Sequence, residues 1–330
     1  MYRLGSMEKP IHSRLMRRIS LRQMQVFEAV ARNLSYTQAA QELHLTQPTV
    51  SMQIKKLEDD IGASLTEQVG RKMSLTQAGL ELQAMSRDIM LMLARFEMQI
   101  DDQKGQHSGE LRLAVVSTAN YFAPKLLGQF CQEYPRINVL LEVTNREHIL
   151  ERMSQNLDDL YLVGKPPRSE QLDFKPYLVN PLVVVASKNH ELQGKKNIPL
   201  SDLASQPLLI REKGSGTRIA TEQAFAKAGL EPNIRMELGN NESIKQGVSG
   251  GLGIAVLSMH TLTSGDFTEL VVLDVEGFPL SWRWFVGHPK GKKLSVVART
   301  FIDYMYQEGL ALLPDEIRSH VELEAAENNT

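Results

Sequence analysis

The chain has 330 residues, 42% hydrophobic and only 6% aromatic, with 22 Gly, 14 Pro and a single Cys. That composition excludes a disulfide scaffold, a collagen-like chain and wholesale disorder, and it supports two or three globular domains with their own cores. The formal charge of −2 averages two unlike parts: Met1–Leu75 carries 11 Lys/Arg against 7 Asp/Glu, net +4, and the rest carries 26 against 32, net −6. A basic first quarter on an acidic body predicts a small anion-binding head on a neutral-to-acidic sensor.

Residues 1–18 are basic but hold no apolar core of the kind a secretory leader needs, so they read as a loose arm, with Met7 and Met16 as alternative starts. The expected compartment is a reducing cytoplasm. No apolar run approaches the roughly 20 residues of a membrane span.

The first predicted helix runs from Leu21 to Asn33, with Leu21, Met24, Phe27 and Ala31 on one face. Ser35-Tyr36-Thr37-Gln38 fits a capping box opening a second helix that ends at Leu43. Within it, Ala39-Ala40 permits close approach of another helix. His44-Leu45 reads as a tight turn. Thr46 is a good N-cap, and Pro48 falls in the first turn of a third helix, where its missing N–H costs nothing. Val50, Ile54, Leu57 and Ile61 mark that helix's buried stripe. Its outer face shows Thr49, Ser51, Met52, Gln53, Lys55 and Lys56. Short polar side chains followed by lysines suit a major-groove reader, hydroxyls and amides meeting base edges and lysines meeting phosphates. Leu65–Thr76 then reads as a short hairpin with Gly70-Arg71-Lys72 at its tip, a basic wing able to reach the backbone or minor groove. A plain three-helix bundle with a solvated hairpin is the alternative on pattern alone.

From Thr76 to Asp101 there is no Pro, and Gly79 stands near the start. Ala78, Leu82, Met85, Ile89, Met92 and Phe96 recur at coiled-coil spacing, so a long helix is predicted with Leu82, Met85, Ile89, Met92 and Phe96 as its dimerisation seam. Packing of this seam on the chain's own C-terminal domain is the alternative. Gln103–Gly109 reads as a hinge.

Beyond it, strands alternate with helices. Strands are predicted at 111–116, 137–144, 160–163, 182–186, 208–211, 234–238, 254–257 and 284–287, and helices at 123–134, 146–155, 218–228, 242–247 and 295–306. The alternation predicts parallel sheets covered on both faces, and the number of strands predicts two lobes. Cys131, in an apolar helical stretch, reads as a buried small hydrophobe. Ligands in such sheets sit beyond the strand C-termini, where helix N-termini point. Three turns have that form: Ser117-Thr118-Ala119-Asn120, Gly214-Ser215-Gly216-Thr217-Arg218 and Gly239-Asn240-Asn241-Glu242. Each offers backbone N–H groups with small polar side chains, and Lys165 and Arg218 are expected to add charge for a small anion. Ser249-Gly250-Gly251-Leu252-Gly253-Ile254 precedes a strand, whereas the dinucleotide fingerprint follows one, so it reads as a tight helix-to-strand connection. No metal-ligand spacing and no nucleophile–base–acid set stands out, so no metal or covalent cofactor is expected and the chain reads as a non-enzyme. The last residues, 313–330, form an acidic tail.

The segment Ser35–Ser51, with Ile54-Lys55-Lys56-Leu57-Glu58 and Leu75-Thr76-Gln77-Ala78-Gly79, resembles the winged helix-turn-helix of LysR-type transcriptional regulators. Thr66 departs from the family, which usually has Phe there, and the loss should weaken packing of the wing. Met52 replaces the Arg of many members. Thr118–Leu127, Asn145-Arg146-Glu147, Asp158-Asp159-Leu160, Gly164-Lys165-Pro166-Pro167, Arg211–Arg218, Met236–Gly239, Asn241–Gln246 and Leu273–Pro279 narrow the resemblance to the CbbR-type regulators of carbon-dioxide-fixation operons.

The resemblance implies an α+β multi-domain chain: a winged helix-turn-helix (19–76), a linker helix and hinge (77–108) and a two-lobed α/β effector domain of the periplasmic-binding-protein fold (109–312). It implies a homotetramer on double-stranded operator DNA, with RNA polymerase as a further partner and no membrane. Gln47, Pro48, Thr49, Ser51, Met52, Lys55, Arg71 and Lys72 would face DNA. Ser117, Thr118, Ala119, Asn145, Lys165, Gly216, Thr217, Arg218 and Asn241 would face an effector such as a sugar phosphate, organophosphate or NADPH. The regulated genes would be Calvin-cycle or inorganic-carbon genes. Regulation of another metabolic operon is the alternative. A solute-binding transport protein would share the lobes, but the helix-turn-helix opposes it.

Overall fold

The structure is a computed structural model that describes residues 18–69, 72–103, 108–167, 169–262 and 269–309. The predicted arm, tail and most of the hinge, and Arg71, lie outside these residues. The chain divides into two compact units, 1–97 and 98–330.

In the first unit, α1 (Leu21–Asn33), α2 (Tyr36–Glu42) and α3 (Gln47–Ile61) precede the antiparallel pair β1 (Thr66–Val69) and β2 (Lys72–Leu75) and the long helix α4 (Gln77–Gln103). Each helix start has a local chemical cause. Ser35 Oγ accepts from Gln38 N at 3.3 Å and Thr46 Oγ1 from Thr49 N at 3.4 Å. Thr76 Oγ1 accepts from Gly79 N at 3.1 Å. The full reciprocal capping box lies one helix earlier than predicted, at Ser20 and Gln23, where Gln23 N reaches Ser20 Oγ at 3.2 Å and Ser20 N reaches Gln23 Oε1 at 2.9 Å. His44 takes the left-handed conformation (φ 52°) that lets α2 turn into α3.

Val26, Phe27, Val30, Ala39, Ala40, Val50, Ile54, Leu57 and Leu65 form one buried core. Each large apolar side chain in it contributes roughly 1.5–3 kcal/mol. Leu82 belongs to the same core, which corrects its assignment to the dimer seam: the first turns of α4 still close the head. Farther along the helix the seam is open, with Met85, Met92 and Phe96 exposed, Ile89 half-buried, and Leu93 and Ile100 exposed beside them.

Thr66 is held by polar bonds where an aromatic was expected. Its Oγ1 lies 3.2 Å from the Tyr36 hydroxyl, and Glu58 Oε1 accepts from Leu65 N at 2.8 Å and Thr66 N at 3.4 Å.

The second unit holds two lobes. The first comprises β3 (Gly109–Val116), α5 (Ala123–Glu133), β4 (Ile137–Thr144), α6 (Arg146–Ser154), β5 (Leu160–Val163) and β6 (Leu172–Val179). The second comprises β7 (Leu182–Ser187), α7 (Leu200–Ser205), β8 (Leu208–Arg211), α8 (Gly216–Lys227), β9 (Ile234–Leu238), α9 (Asn241–Ser249), β10 (Ile254–Ser258) and β11 (Leu270–Val272). The chain then returns to the first lobe with β12 (Arg283–Pro289) and α10 (Val296–Glu308).

The sheet orders are β4-β3-β5-β12-β6 and β11-β7-β10-β8-β9. Only β4-β3-β5 and β9-β8-β10 are parallel; the other pairings are antiparallel, which corrects the expectation of wholly parallel sheets. The cause is the double passage between lobes. β7 and β12 are entered by crossing from the other lobe, and β6 follows β5 with no helix between them among the described residues.

In β7 the alternation is strict: Leu182, Val184 and Ala186 enter one core of the second lobe and Val183 and Val185 the other. A strand buried on both faces is therefore apolar throughout. The Gly250–Gly253 segment is the predicted tight connection: at Gly253 (φ 155°) a Cβ would lie 2.1 Å from Pro207 O.

The two passages pair with each other. Asn180 N donates to Trp282 O at 2.7 Å, and Leu182 and Leu280 exchange N–H···O bonds of 3.1 and 2.8 Å. Buried His260, in the turn after β10, lies with Nε2 3.0 Å from Val179 O, and burial pushes its imidazole down to about 4.

Candidate functional site

In the first unit the exposed face of α3 carries Gln47, Pro48, Ser51, Met52, Lys55 and Lys56, with Thr49 half-buried among them and hydrogen-bonded to Thr46 through the two hydroxyls at 2.8 Å. Lys72 opens β2, exposed. Val50, Ile54 and Leu57 are buried beneath. The helix thus presents a row of hydroxyl, amide and ammonium groups opposite its anchoring stripe. Such a row can meet phosphates and base edges.

Between the lobes of the second unit lies a narrow cavity of about 20 Å³ lined by Ser117, Thr118, Asn145, Arg146, Asn180, Ser215, Gly216, Thr217 and Trp282, with Val116 and Gly164. An adjoining cavity of about 450 Å³ shares Ser117 and Asn145 and adds Tyr121, Arg211, Glu212 and the turn Gly239–Glu242. The strands β3, β4 and β8 end here. The helices α6 and α8 begin at the first cavity and α9 at the second, so unsatisfied N–H groups and positive helix ends point inward. Asn145 caps α6 through its Oδ1, which accepts from His148 N at 3.0 Å. Thr118 Oγ1 is fixed by the Trp284 indole N–H at 3.3 Å.

Three predicted residues stand elsewhere. Ala119 is fully buried in the core of the first lobe, because its 3-10 turn directs a methyl inward. Lys165 does not line either cavity; its Nζ sits 5.5 Å above the Trp282 ring. Arg218 is turned away as well. Its Nε donates to Glu222 at 2.7 Å and its Nη1 to Glu237 at 2.6 Å, so its charge is spent on its own lobe. The i, i+4 spacing to Glu222 was visible in the sequence; Glu237 comes from the neighbouring β9.

Two arginines not predicted as site residues take its place. Arg211, 2% exposed at the end of β8, donates from Nε to Glu212 at 2.8 Å, from Nη1 to Asn241 Oδ1, and from Nη2 across the cleft to Ser117 Oγ at 3.2 Å. Glu212 neutralises it. Arg146 is the first residue of α6 and, among the described residues, the one cation lining the smaller cavity. Its Nε donates to the backbone oxygen of Lys165 at 2.8 Å. Burial alone moves its guanidinium below the ordinary value. Charge without a counter-ion, at the meeting of two helix N-termini, is the arrangement that an anionic ligand completes. Arg146 was legible as a cation at a strand-to-helix turn; what was not legible is that Arg218 also pairs with Glu237 of β9 while Arg146, among the described residues, forms no ion pair.

A second bridge crosses the larger cavity. The Tyr121 hydroxyl, from the first lobe, donates to Glu242 Oε1 at 2.6 Å, and buried Lys245 meets the same carboxylate at 2.6 Å while sitting 5.0 Å above the Tyr121 ring. Among the described residues no group of three or more His, Cys, Asp or Glu side chains is placed to hold a metal, and no helix is long and apolar enough to cross a membrane.

Residues 21–80 match the family model described as the bacterial regulatory helix-turn-helix protein, lysR family, and residues 104–309 the one described as the LysR substrate binding domain. The chain is 49% identical over 292 residues to the HTH-type transcriptional activator CmpR of a Synechocystis species, covering 88% of this chain and 96% of that one. It is 45% identical over 291 residues to the RuBisCO operon transcriptional regulator of Allochromatium vinosum, with coverages of 88% and 96%. Among solved structures it is similar to the Synechocystis CcmR regulatory domain in complex with 2-PG, at 50% identity and a TM-score of 0.59, covering 60% of this chain and 96% of that one. Full-length CbnR complexed with its target DNA shares the fold, with a TM-score of 0.66 at 21% identity over 87% of this chain and 99% of that one.

Proposed function

Because the chain belongs to the LysR family of DNA-binding transcriptional regulators, we propose that it controls carbon-dioxide-fixation or inorganic-carbon genes in response to a small phosphorylated acid bound at Arg146. The regulatory assignment follows the relatives, a CmpR activator and RuBisCO operon regulators that align along most of this chain. The effector class rests on one observation: Arg146 lines the inter-lobe cavity as a cation with, among the described residues, no carboxylate paired to it, between the N-termini of α6 and α8. The CcmR regulatory domain in complex with 2-PG (2-phosphoglycolate) supplies the first ligand to try.

A phosphate would take backbone N–H groups at Gly216 and Thr217 and the hydroxyls of Ser117, Thr118 and Thr217, with Arg146 closing the charge. Ligand contacts made by both lobes favour the closed cleft, and only that differential affinity can move the attached DNA-reading heads. The open apolar row Met85, Ile89, Met92 and Phe96 of α4 supports a homodimer through this helix and a tetramer built from two such dimers. A two-fold assembly matches a palindromic operator.

The test is calorimetric titration of the full chain with 2-phosphoglycolate, then with a sugar phosphate and with NADPH, followed by footprinting on the chain's own upstream DNA. One site per chain and a changed footprint are expected with 2-phosphoglycolate. Absence of binding by all three ligands overturns the effector reading. An unchanged footprint with saturating ligand overturns its regulatory role.

A further inference from the structure

We infer that Met52 is a specificity-determining residue of the DNA-reading helix, and that it selects thymine at one position of each operator half-site through the C5-methyl group. Met52 is the most exposed large apolar residue of the described chain, with two-thirds of its surface (66%) open. It is also placed where an apolar side chain is least expected. With about 100° of turn per residue, it lies about 170° round α3 from the buried stripe of Val50, Ile54 and Leu57. Lys55 and Lys56 flank it one turn on, and Pro48 and Thr49 one turn back. An exposed side chain at the middle of the reading face therefore carries no hydrogen-bond donor.

Base edges in the major groove offer guanine N7 and O6, adenine N7 and N6, cytosine N4, and thymine O4 with its methyl group. A thioether cannot donate to guanine as a guanidinium does, and it leaves any base-edge donor or acceptor it covers unsatisfied. The methyl of thymine is the one apolar feature there. A flexible, polarizable side chain covers it without a desolvation penalty. Neighbouring lysines meet phosphates and fix the register, so the methyl contact is scored at a defined base pair.

The experiment uses the full-length chain and a duplex obtained by binding-site selection from random DNA. Each thymine is replaced singly by deoxyuracil, which removes only the methyl group, and affinity is read by competition anisotropy. For the natural chain, one position per half-site is expected to lose about fourfold in affinity, the worth of one buried methyl. Met52→Ala and the similarly sized polar Met52→Gln are expected to lose the sensitivity at that position only, and Met52→Leu to keep it. Met52→Arg is expected to exchange thymine for guanine there on reselection. The inference is overturned if no thymine in the site is methyl-sensitive, or if the same position stays sensitive in Met52→Gln. Should Met52→Ala bind too weakly to titrate, the Gln and Leu pair decides.

Discussion

Strand order β4-β3-β5 in the first lobe matches β9-β8-β10 in the second, and the ends of β3, β4, β5, β8 and β9 border the cleft. With the same wiring, the lobes handle positive charge differently. In the second lobe Arg211 is answered by Glu212, and Arg218 by Glu222 and Glu237. In the first lobe Arg146 faces the cleft with a backbone oxygen on Nε and, among the described residues, no carboxylate within ion-pair distance. Shared topology therefore positions helix N-termini in both lobes, while the counter-ions divide the labour. The second lobe offers N–H groups and hydroxyls; the first offers net charge. A ligand needing both must bridge the cleft, which is the requirement for a closure signal.

The largest effect is expected where the lobes are joined. His260 holds the Val179 carbonyl, and its folded value of about 4 lies below the 6.5 of the unfolded chain. Above pH 6.5 neither state binds the proton and nothing is lost. As pH falls from 6.5 towards 4 the unfolded state takes up a proton that the folded state refuses, and stability drops by up to about 3 kcal/mol. Urea unfolding across that range should show the slope in the natural chain and a reduced slope in His260→Gln. Equal slopes would mean that the crossover does not carry this proton linkage.

Next comes Arg146→Ala, expected to weaken 2-phosphoglycolate binding by about 30-fold, the loss of roughly 2 kcal/mol from charge-assisted hydrogen bonds. An unchanged affinity would move the net charge of the cleft to the other lobe. Glu212→Gln removes the counter-ion of Arg211 and should make the second lobe resemble the first, raising anion affinity by about threefold. A fall in affinity would instead mean that Glu212 orients Arg211 for the ligand. Arg218→Ala is the smallest, with affinity within about twofold of the natural chain because Arg218 itself lines neither cavity and the carboxylates it pairs with lie outside both. A loss as large as that of Arg146→Ala would erase the contrast between the lobes.

What could be read ahead of the structure followed the range of the interactions. Ser35, Thr46 and Thr76 act within three residues of themselves, so their capping roles were legible. Leu82 was not: its spacing continues the seam of α4, but only the packed head shows that its turn is already occupied. β6 escaped because Asp173, Lys175 and Pro176 interrupt its apolar pattern, as an edge strand tolerates. β11 is three residues long and carries too little pattern to detect.

At the cleft, the three strand-to-helix turns were foreseeable because their backbone geometry is local. The choice among Lys165, Arg211, Arg218 and Arg146 was not, since it depends on where each side chain turns in space, with Glu237 of β9 and the Trp282 ring brought in from other elements. By itself the sequence determined the helix-turn-helix, the caps, the alternating body and the LysR membership, all of which rest on periodicity and contiguous motifs. Only the tertiary structure decided which cations keep their charge for a ligand, because a charge is cancelled by what lies beside it in space.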